Sequence, residues 1–288
     1  MIEWLGSHGV DEVILACGFL PDQLEKVLGR GTADGPTLHY VVEPEPLGTA
    51  GAIKFAEEHL DDRFFALNGD VLTDLDLTAL WNSHLERGAT ASLGLYPVED
   101  PTGYGLVEMD ENGVVLDFLE KPDPAHAGAG LINAGTYVLE RSVLTDVPAG
   151  REVSIEREVF PHLIDHGLHG LRLDGYWMDI GTPERYLEAS WDIVEGRVRT
   201  EVETNTEGMH FGVDCEITTG ARIGPRAVIG NRCKVGTGAH ISDSVLISDC
   251  EIGENAVVTD SILSPGVRIA AGVQVGNRVL GKNEVVNA

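Results

Sequence analysis

The chain has 288 residues, a formal net charge of −27 from 20 Lys and Arg against 47 Asp and Glu, and a hydrophobic fraction of 43%. That length holds an α/β domain plus a smaller second one, and the composition is globular, not disordered. The charge repels a nucleic-acid backbone, no apolar run reaches the roughly 18 residues of a membrane span, and residues 1–9 lack a basic leader and cleavage site, so a cytoplasmic protein is expected. An acidic protein binds a phosphorylated ligand only through a divalent metal or a few placed cations, which gives weight to each of Lys26, Lys54, Lys121, Lys234 and Lys282. Cys17, Cys215, Cys233 and Cys250 form no CxxC pair, so reduced thiols are expected and not a zinc site.

In chain order, residues 13–16 read as a strand, 21–28 as a helix and 39–42 as a strand. Residues 49–59 read as a helix with Thr49 at its N-cap. A strand over 64–67 stops at Asn68-Gly69-Asp70, a helix over 77–87 follows, then a strand over 89–96. This βαβα rhythm predicts an α/β domain with a mainly parallel sheet and helices on both faces. Residues 105–120 instead predict a hairpin around Asp110-Glu111-Asn112-Gly113. Residues 186–202 read as a linking helix. Beyond Val198, Ile217, Ile223, Ile229, Val235 and Ile241 recur every six residues, each followed four residues later by a small or β-branched residue. This is the repeat of a parallel β-helix with 18 residues per coil. Its register slips by one residue over 247–251, resumes at Ile252 and Val258, loosens near Pro265 and returns at Ile269 and Val275. The expected domains are 1–199 and 200–288.

Several short segments could carry chemistry. Asp70 follows an apolar strand, where open α/β sheets bind ligands, so Asn68-Gly69-Asp70 is either a Mg²⁺ ligand with room beside it or a plain turn. Asp179 lies in Trp177-Met178-Asp179-Ile180-Gly181-Thr182-Pro183, which also reads as a strand end followed by a helix capped by Thr182. Mg²⁺ takes one or two carboxylates plus phosphate oxygens and water. Leu47-Gly48-Thr49-Ala50-Gly51 opens a helix, and its backbone N–H groups could meet a nucleotide or simply pack on the sheet. In Glu120-Lys121-Pro122 the proline excludes Lys121 from helix, so the side chain is expected to project from a strand end, toward a ligand or into solvent.

Taken in order, Pro46-Leu47-Gly48-Thr49-Ala50-Gly51, Asn68-Gly69-Asp70, Gly103-Tyr104-Gly105, Glu120-Lys121-Pro122, Asn133-Ala134-Gly135 and the Trp177–Pro183 segment resemble the motifs of sugar-1-phosphate nucleotidyltransferases. With the β-helix, the resemblance is to mannose-1-phosphate guanylyltransferases and glucose-1-phosphate nucleotidyltransferases. It implies a Rossmann-like sheet followed by a left-handed parallel β-helix. Asp70 and Asp179 would hold Mg²⁺ and, with Lys121, serve catalysis. Leu47, Gly48, Thr49, Gly69 and Asp70 would line the nucleotide site, while Gly105, Glu120, Lys121, Asn133 and Gly135 would meet the sugar phosphate. A nucleoside triphosphate, read as GTP, and a hexose 1-phosphate, read as mannose 1-phosphate, would be the substrates, and the β-helix would join copies into a homo-oligomer.

The resemblance also implies a first, central strand and a loop like G-G-x-G-T-R-L-x-P-L-T ahead of residue 1, about 30 residues in all. Without them the 13–16 strand is expected to lose a hydrogen-bonding neighbour, and the sequence reads first as an active sugar-1-phosphate nucleotidyltransferase whose true start lies further upstream. A regulatory or binding paralogue is the alternative reading. A third is a β-helix acyltransferase with His240 as base.

Overall fold

The computed structural model describes every residue except 19, 32–34, 124–127, 203, 206 and 288. Two units emerge: Met1–Gly69 with Leu75–Trp177, and Asp70–Asp74 with Met178–Ala288. Within the second unit, Leu187 clusters with Val245 and Ile262 of the solenoid. No helix among the described residues is long and apolar enough to cross a membrane.

In chain order the elements are α1 (Ile2–Ser7), β1 (Glu12–Cys17), α2 (Pro21–Leu28), β2 (Thr37–Val42), α3 (Gly48–Phe55), β3 (Arg63–Leu67), β4 (Val71–Thr73), α4 (Leu77–Arg87), β5 (Ala91–Val98), β6 (Gly105–Met109), β7 (Val115–Glu120), β8 (Gly130–Glu140), α5 (Phe160–Leu163), β9 (Leu168–Arg172), β10 (Trp177–Asp179) and α6 (Pro183–Val194). Among the described residues fourteen short strands follow: β11 (Met209–Phe211), β12 (Glu216–Ile217), β13 (Arg222–Ile223), β14 (Ala227–Asn231), β15 (Lys234–Val235), β16 (His240–Ser242), β17 (Val245–Ser248), β18 (Glu251–Ile252), β19 (Val257–Thr259), β20 (Ile262–Leu263), β21 (Arg268–Ile269), β22 (Gln274–Gly276), β23 (Val279–Leu280) and β24 (Val285–Val286).

The first unit is built on a six-stranded sheet in the order β7-β6-β8-β5-β9, with β3 also on β8. Strands β5 and β9 are parallel, whereas β3, β5 and β6 run antiparallel to β8. Ile132, Ala134, Val138 and Leu139 of β8 are fully buried. Side chains of a strand alternate faces, so β8 is covered on both sides and sits mid-sheet. Across the chain the pairings are mostly parallel, since β1–β2 and every solenoid pair are parallel. Strands β1 and β2 form a sheet of their own. Among the described residues β1 pairs only with β2 and β3 only with β8.

Some elements differ from expectation. The 49–59 helix is α3, starting one residue earlier at Gly48, followed by a 3₁₀ turn over Glu57–His59. Its N-cap is Leu47, with no side-chain cap; the Thr49 hydroxyl is engaged elsewhere, as described below. The expected 186–202 helix is α6, which starts at Pro183 and ends at Val194. Pro183 has no N–H to lose at the first turn, and the Thr182 side chain caps the helix by accepting from Arg185 N at 3.3 Å. The expected hairpin is β6–β7, and its turn is held by Asp110 Oδ1, which accepts from Asn112 N (2.9 Å) and Val114 N (2.8 Å).

The second unit holds the β4–β10 pair, α6 and the solenoid of about five coils. Three parallel sheets run along the solenoid: β11-β14-β17-β20-β23, β12-β15-β18-β21-β24 and β13-β16-β19-β22. Ile229, Val235, Ile241, Leu246, Ile252, Val258, Leu263, Ile269, Val275 and Leu280 fill its interior. The register shows why the six-residue pattern slipped. Glu216 pairs Lys234, 18 residues on, but Lys234 pairs Glu251 and Glu251 pairs Arg268, each 17 residues on. One corner per coil is a residue short from the second coil onward, and it falls between β16 and β17, not at 247–251. Leu246 therefore points inward, fully buried, while Ile247 is 40% exposed. The tight corner turns on left-handed residues Asp243, Asp260 and Asn277. Its buried serines bridge successive coils: Ser261 N donates to Ser244 Oγ and Arg278 N to Ser261 Oγ, both at 3.1 Å.

Candidate active site

In the first unit the 47–51 loop is docked backbone to backbone on the 151–155 segment. Ala50 N and Gly51 N donate to Val153 O at 2.9 and 3.3 Å, and Val153 N donates to Leu47 O at 2.8 Å. Gly48 has φ +68, and a Cβ there would stand 2.7 Å from Val153 O. Only glycine fits that combination of left-handed backbone and close approach. Two of the N–H groups at the start of α3 are thus spent on protein, so any ligand contact from this loop comes from its other groups. Leu47 is buried beneath the loop.

Strand β3 delivers Asn68 and Gly69 beside β8, where Asn68 N donates to Gly135 O at 2.8 Å. Gly135 has φ +66, and a Cβ there would stand 2.7 Å from Asn68 Nδ2. Asn133 braces the same bend: its Oδ1 accepts from Gly135 N at 3.0 Å and its Nδ2 donates to Tyr137 Oη at 2.8 Å. Gly69 is exposed, with no atom within 4 Å of a Cβ position.

Gly105 faces Glu120 across the β6–β7 ladder, and a Cβ on it would lie 3.0 Å from Glu120 Oε2. Burial raises the Glu120 carboxyl above its ordinary value and the Glu156 charge adds to this, while Lys121 and Arg157 oppose it. Lys121 is not the extended residue expected before proline. Its φ is +50, and its N–H donates to Tyr104 O at 3.1 Å as the chain turns off β7 into buried Pro122. The side chain is exposed, and no carboxylate of the described residues lies within ion-pair range of it. Tyr104 packs edge-on against Trp177 (5.3 Å between centroids), and Tyr96 lies 5.7 Å from the same ring. The Trp177 indole donates to Ala134 O at 2.8 Å, so the aromatic wall is tied to the Asn133-Ala134-Gly135 bend.

In the second unit Asp70 and Asp179 converge. Ile180 N donates to Asp70 O at 2.8 Å, and Gly181 N donates to Asp179 Oδ1 at 2.8 Å. A Cβ on Gly181 would stand 3.1 Å from Asp179 Oδ1 and 3.6 Å from Asp70 Oδ2. One point beside Gly181 thus sees both carboxylates. The described residues contain no cluster of three or more His, Cys, Asp or Glu suited to a metal. Two hard-oxygen ligands with the remaining positions left to phosphate and water is the donor set Mg²⁺ accepts.

Sequence reasoning passed over Glu156. Its Oε2 accepts from Thr49 Oγ1 (2.9 Å) and Ser154 Oγ (2.8 Å), and its Oε1 accepts from Tyr137 Oη (3.5 Å). It sits in a π-helical turn over Ile155–Val159, introduced by Ser154, a feature frequent at functional sites. Lysines other than Lys121 have structural partners or lie elsewhere: Lys54 pairs with Glu57 at 2.7 Å and Lys234 with Glu216 at 2.9 Å. A concavity of about 330 Å³ on the solenoid runs along Lys234, Glu251 and Arg268, and none of the expected site residues line it.

The fold and these motifs together define a nucleotidyltransferase-like α/β domain followed by a parallel β-solenoid. The chain belongs to the nucleotidyl transferase family, whose model matches residues 1–196, and residues 207–288 match the GMPPB C-terminal domain. It is 36% identical over 251 residues to a protein of Mycobacterium tuberculosis named mannose-1-phosphate guanylyltransferase, covering 85% of this chain and 69% of that one. A UTP–glucose-1-phosphate uridylyltransferase of Synechocystis is 30% identical over 284 residues, covering 85% and 73% of the two chains. The crystal structure of HddC from Yersinia pseudotuberculosis complexed with GMP-PN is similar, with a TM-score of 0.56 and 29% identity over 65% of this chain and 80% of that one. The family and its named relatives are sugar-1-phosphate nucleotidyltransferases.

Proposed function

We propose that the chain transfers a nucleotidyl group from a nucleoside triphosphate, GTP in the first instance, to a hexose 1-phosphate, mannose 1-phosphate in the first instance. The observation that carries this reading is the convergence of Asp70 and Asp179 at Gly181, in a chain whose relatives include named mannose-1-phosphate guanylyltransferases. A phosphate oxygen of the sugar phosphate attacks the α-phosphorus, a new P–O bond forms, the bond to the bridging oxygen breaks and pyrophosphate leaves. No covalent nucleophile of the protein is needed, so positioning and charge neutralisation carry the rate.

Asp70 and Asp179 would hold a Mg²⁺, which supplies charge neutralisation and Lewis-acid polarisation of phosphate oxygens when bound. The exposed ammonium of Lys121 would neutralise charge on the attacking phosphate. Glu120, hydrogen-bonding through a partly buried carboxyl, and the Asn133–Gly135 bend would meet the hexose hydroxyls. Leu47, Gly48 and Thr49, fixed on the 151–155 segment, would shape one wall of the base site. A pyrophosphate-release assay over GTP, ATP, UTP and dTTP, each against mannose and glucose 1-phosphates, tests the reading. GTP with mannose 1-phosphate is expected to give the highest kcat/KM. The uridylyltransferase reading gains if UTP with glucose 1-phosphate wins, and release from no pair would contradict both.

A further inference from the structure

The hydrogens around Glu156 can be assigned one by one. Thr49 Oγ1 accepts from Ile155 N at 2.7 Å, so its own hydrogen goes to Glu156 Oε2 at 2.9 Å. Ser154 Oγ donates to the same oxygen at 2.8 Å. Tyr137 is 2% exposed, so its phenol cannot turn to water. Its oxygen accepts from Asn133 Nδ2 at 2.8 Å, which leaves its hydrogen for Glu156 Oε1 at 3.5 Å. Burial and the neighbouring Glu156 charge both raise the Tyr137 phenol, which therefore stays a donor. One carboxylate thus collects three hydroxyl donors, and among the described residues no ion pair offsets its charge. One of its oxygens holds the 47–51 loop at 2.9 Å, and the other stands 3.5 Å from the Tyr137 hydroxyl of β8, at the outer edge of hydrogen-bond range. Those two segments hold groups assigned above to opposite substrates: Thr49 to the nucleotide, Asn133 and Gly135 to the hexose.

We propose that Glu156 is a positioning residue for nucleotidyl transfer, tying the nucleotide loop at Thr49 to the hexose-binding bend at Tyr137 and Asn133 so that each substrate's site is set by the other. The inference rests on the substrate assignments of the proposed function. Occupying one segment orders a carboxylate shared with the second, which makes the two binding events mutually favourable. Glu120 belongs to the same circuit, because the Glu156 charge contributes to its raised carboxyl.

The test crosses each segment with the other segment's substrate. Thr49→Val removes a hydroxyl from the nucleotide loop, and Tyr137→Phe removes one from β8, both with little change of volume. Each is expected to raise the KM of the opposite substrate at least about fivefold, the lower end of ordinary coupling between sites. In a Glu156→Gln background, where Gln offers Tyr137 a donor in place of an acceptor, Tyr137→Phe is expected to add less than about twofold. A residue that merely stabilised the fold would lower the melting temperature without this exchange of effects. The inference is overturned if Thr49→Val changes only the nucleotide KM and Tyr137→Phe only the sugar-phosphate KM. Effects that multiply fully in the Glu156→Gln background also overturn it. Should the unsubstituted chain transfer no nucleotidyl group from any pair, the proposed function falls and this inference with it; an active chain without crossed effects removes the inference alone.

Discussion

Gly48→Ala and Gly69→Ala change the same kind of residue at two positions expected to serve the nucleotide, yet the structure sets them apart. At position 48 φ is +68 and a Cβ would meet the Val153 backbone, with O at 2.7 Å and C at 3.1 Å. An L-residue in the left-handed region costs roughly 1–2 kcal/mol, and forcing a carbon into packed backbone costs about 1–3 kcal/mol more. The combined loss, ~2–5 kcal/mol, is a large part of the ~5–15 kcal/mol that holds a typical domain. For a unit of this size it corresponds to a fall in melting temperature of roughly 4–20 °C. At position 69 there is no atom within 4 Å and no positive φ, so alanine is expected to change stability by less than about 0.5 kcal/mol. Differential scanning calorimetry of both variants decides the matter. A Gly48→Ala protein that melts with the unsubstituted chain, or a Gly69→Ala protein that falls as far, would contradict this difference between the two sites. If Gly69→Ala keeps its melting temperature but loses nucleotide affinity, the glycine there serves ligand approach.

Further outcomes follow from the same geometry. Leu246→Ala, in the solenoid interior, is expected to cost about 2–5 kcal/mol, whereas Ile247→Ala should stay within roughly 0.5–1 kcal/mol; urea melts distinguish them, and the reverse order would mean the interior register is wrong. His84, buried with its ring against Ser92 Oγ and Glu140 Oε1, has its pKa lowered by burial against the pull of Glu140. The unfolded chain therefore binds the extra proton first as pH falls below about 6.5, so stability should drop across that window with a slope of up to ~1.4 kcal/mol per pH unit from this group. His84→Gln should flatten that part of the profile, and an unchanged slope would contradict the assignment. Amide exchange followed by NMR should show the β1 amides that do not face β2 exchanging far faster than those of β8. Phe211, Val213 and Ile217 of the first coil are exposed, which motivates the proposal that the solenoid joins copies of the chain; light scattering should report an oligomer, and a strict monomer would contradict it.

The solenoid was legible because its interior repeats along the chain: Ile217, Ile223, Ile229, Val235 and Ile241 announce it without any knowledge of tertiary contacts. The same regularity misplaced the slip. Two adjacent apolar residues, Leu246 and Ile247, compete for one inward position, and the shortened corner that decides between them depends on Ser244 and Ser261 hydroxyls in neighbouring coils. In the α/β domain, the Thr182 cap and the Pro183 start were readable because capping is local. The antiparallel course of β8 was not, since nothing in an apolar run states the direction of its neighbours. The left-handed turn at Lys121 was hidden for a related reason: it is held by Tyr104 O, from the bend just ahead of the opposing strand β6, and not by anything adjacent to Pro122. Glu156 gave no motif signal that spacing alone could expose. Its partners Thr49 and Tyr137 lie 107 and 19 residues away in sequence, and only the fold brings them to one carboxylate.

The proposed reaction joins the α-phosphate of a nucleotide to a hexose 1-phosphate, with Asp70, Asp179 and Lys121 as its working groups. Incubation with GTP labelled with ³²P at the α position, mannose 1-phosphate and Mg²⁺ tests it most directly. Label is expected to pass into a nucleotide sugar with matching release of pyrophosphate, chelation to stop the transfer, and Asp179→Asn and Lys121→Ala each to slow it at least about a hundredfold, the scale of losing one preorganised charge. Label that stays in GTP with a folded protein, or transfer undiminished in both variants, would contradict it.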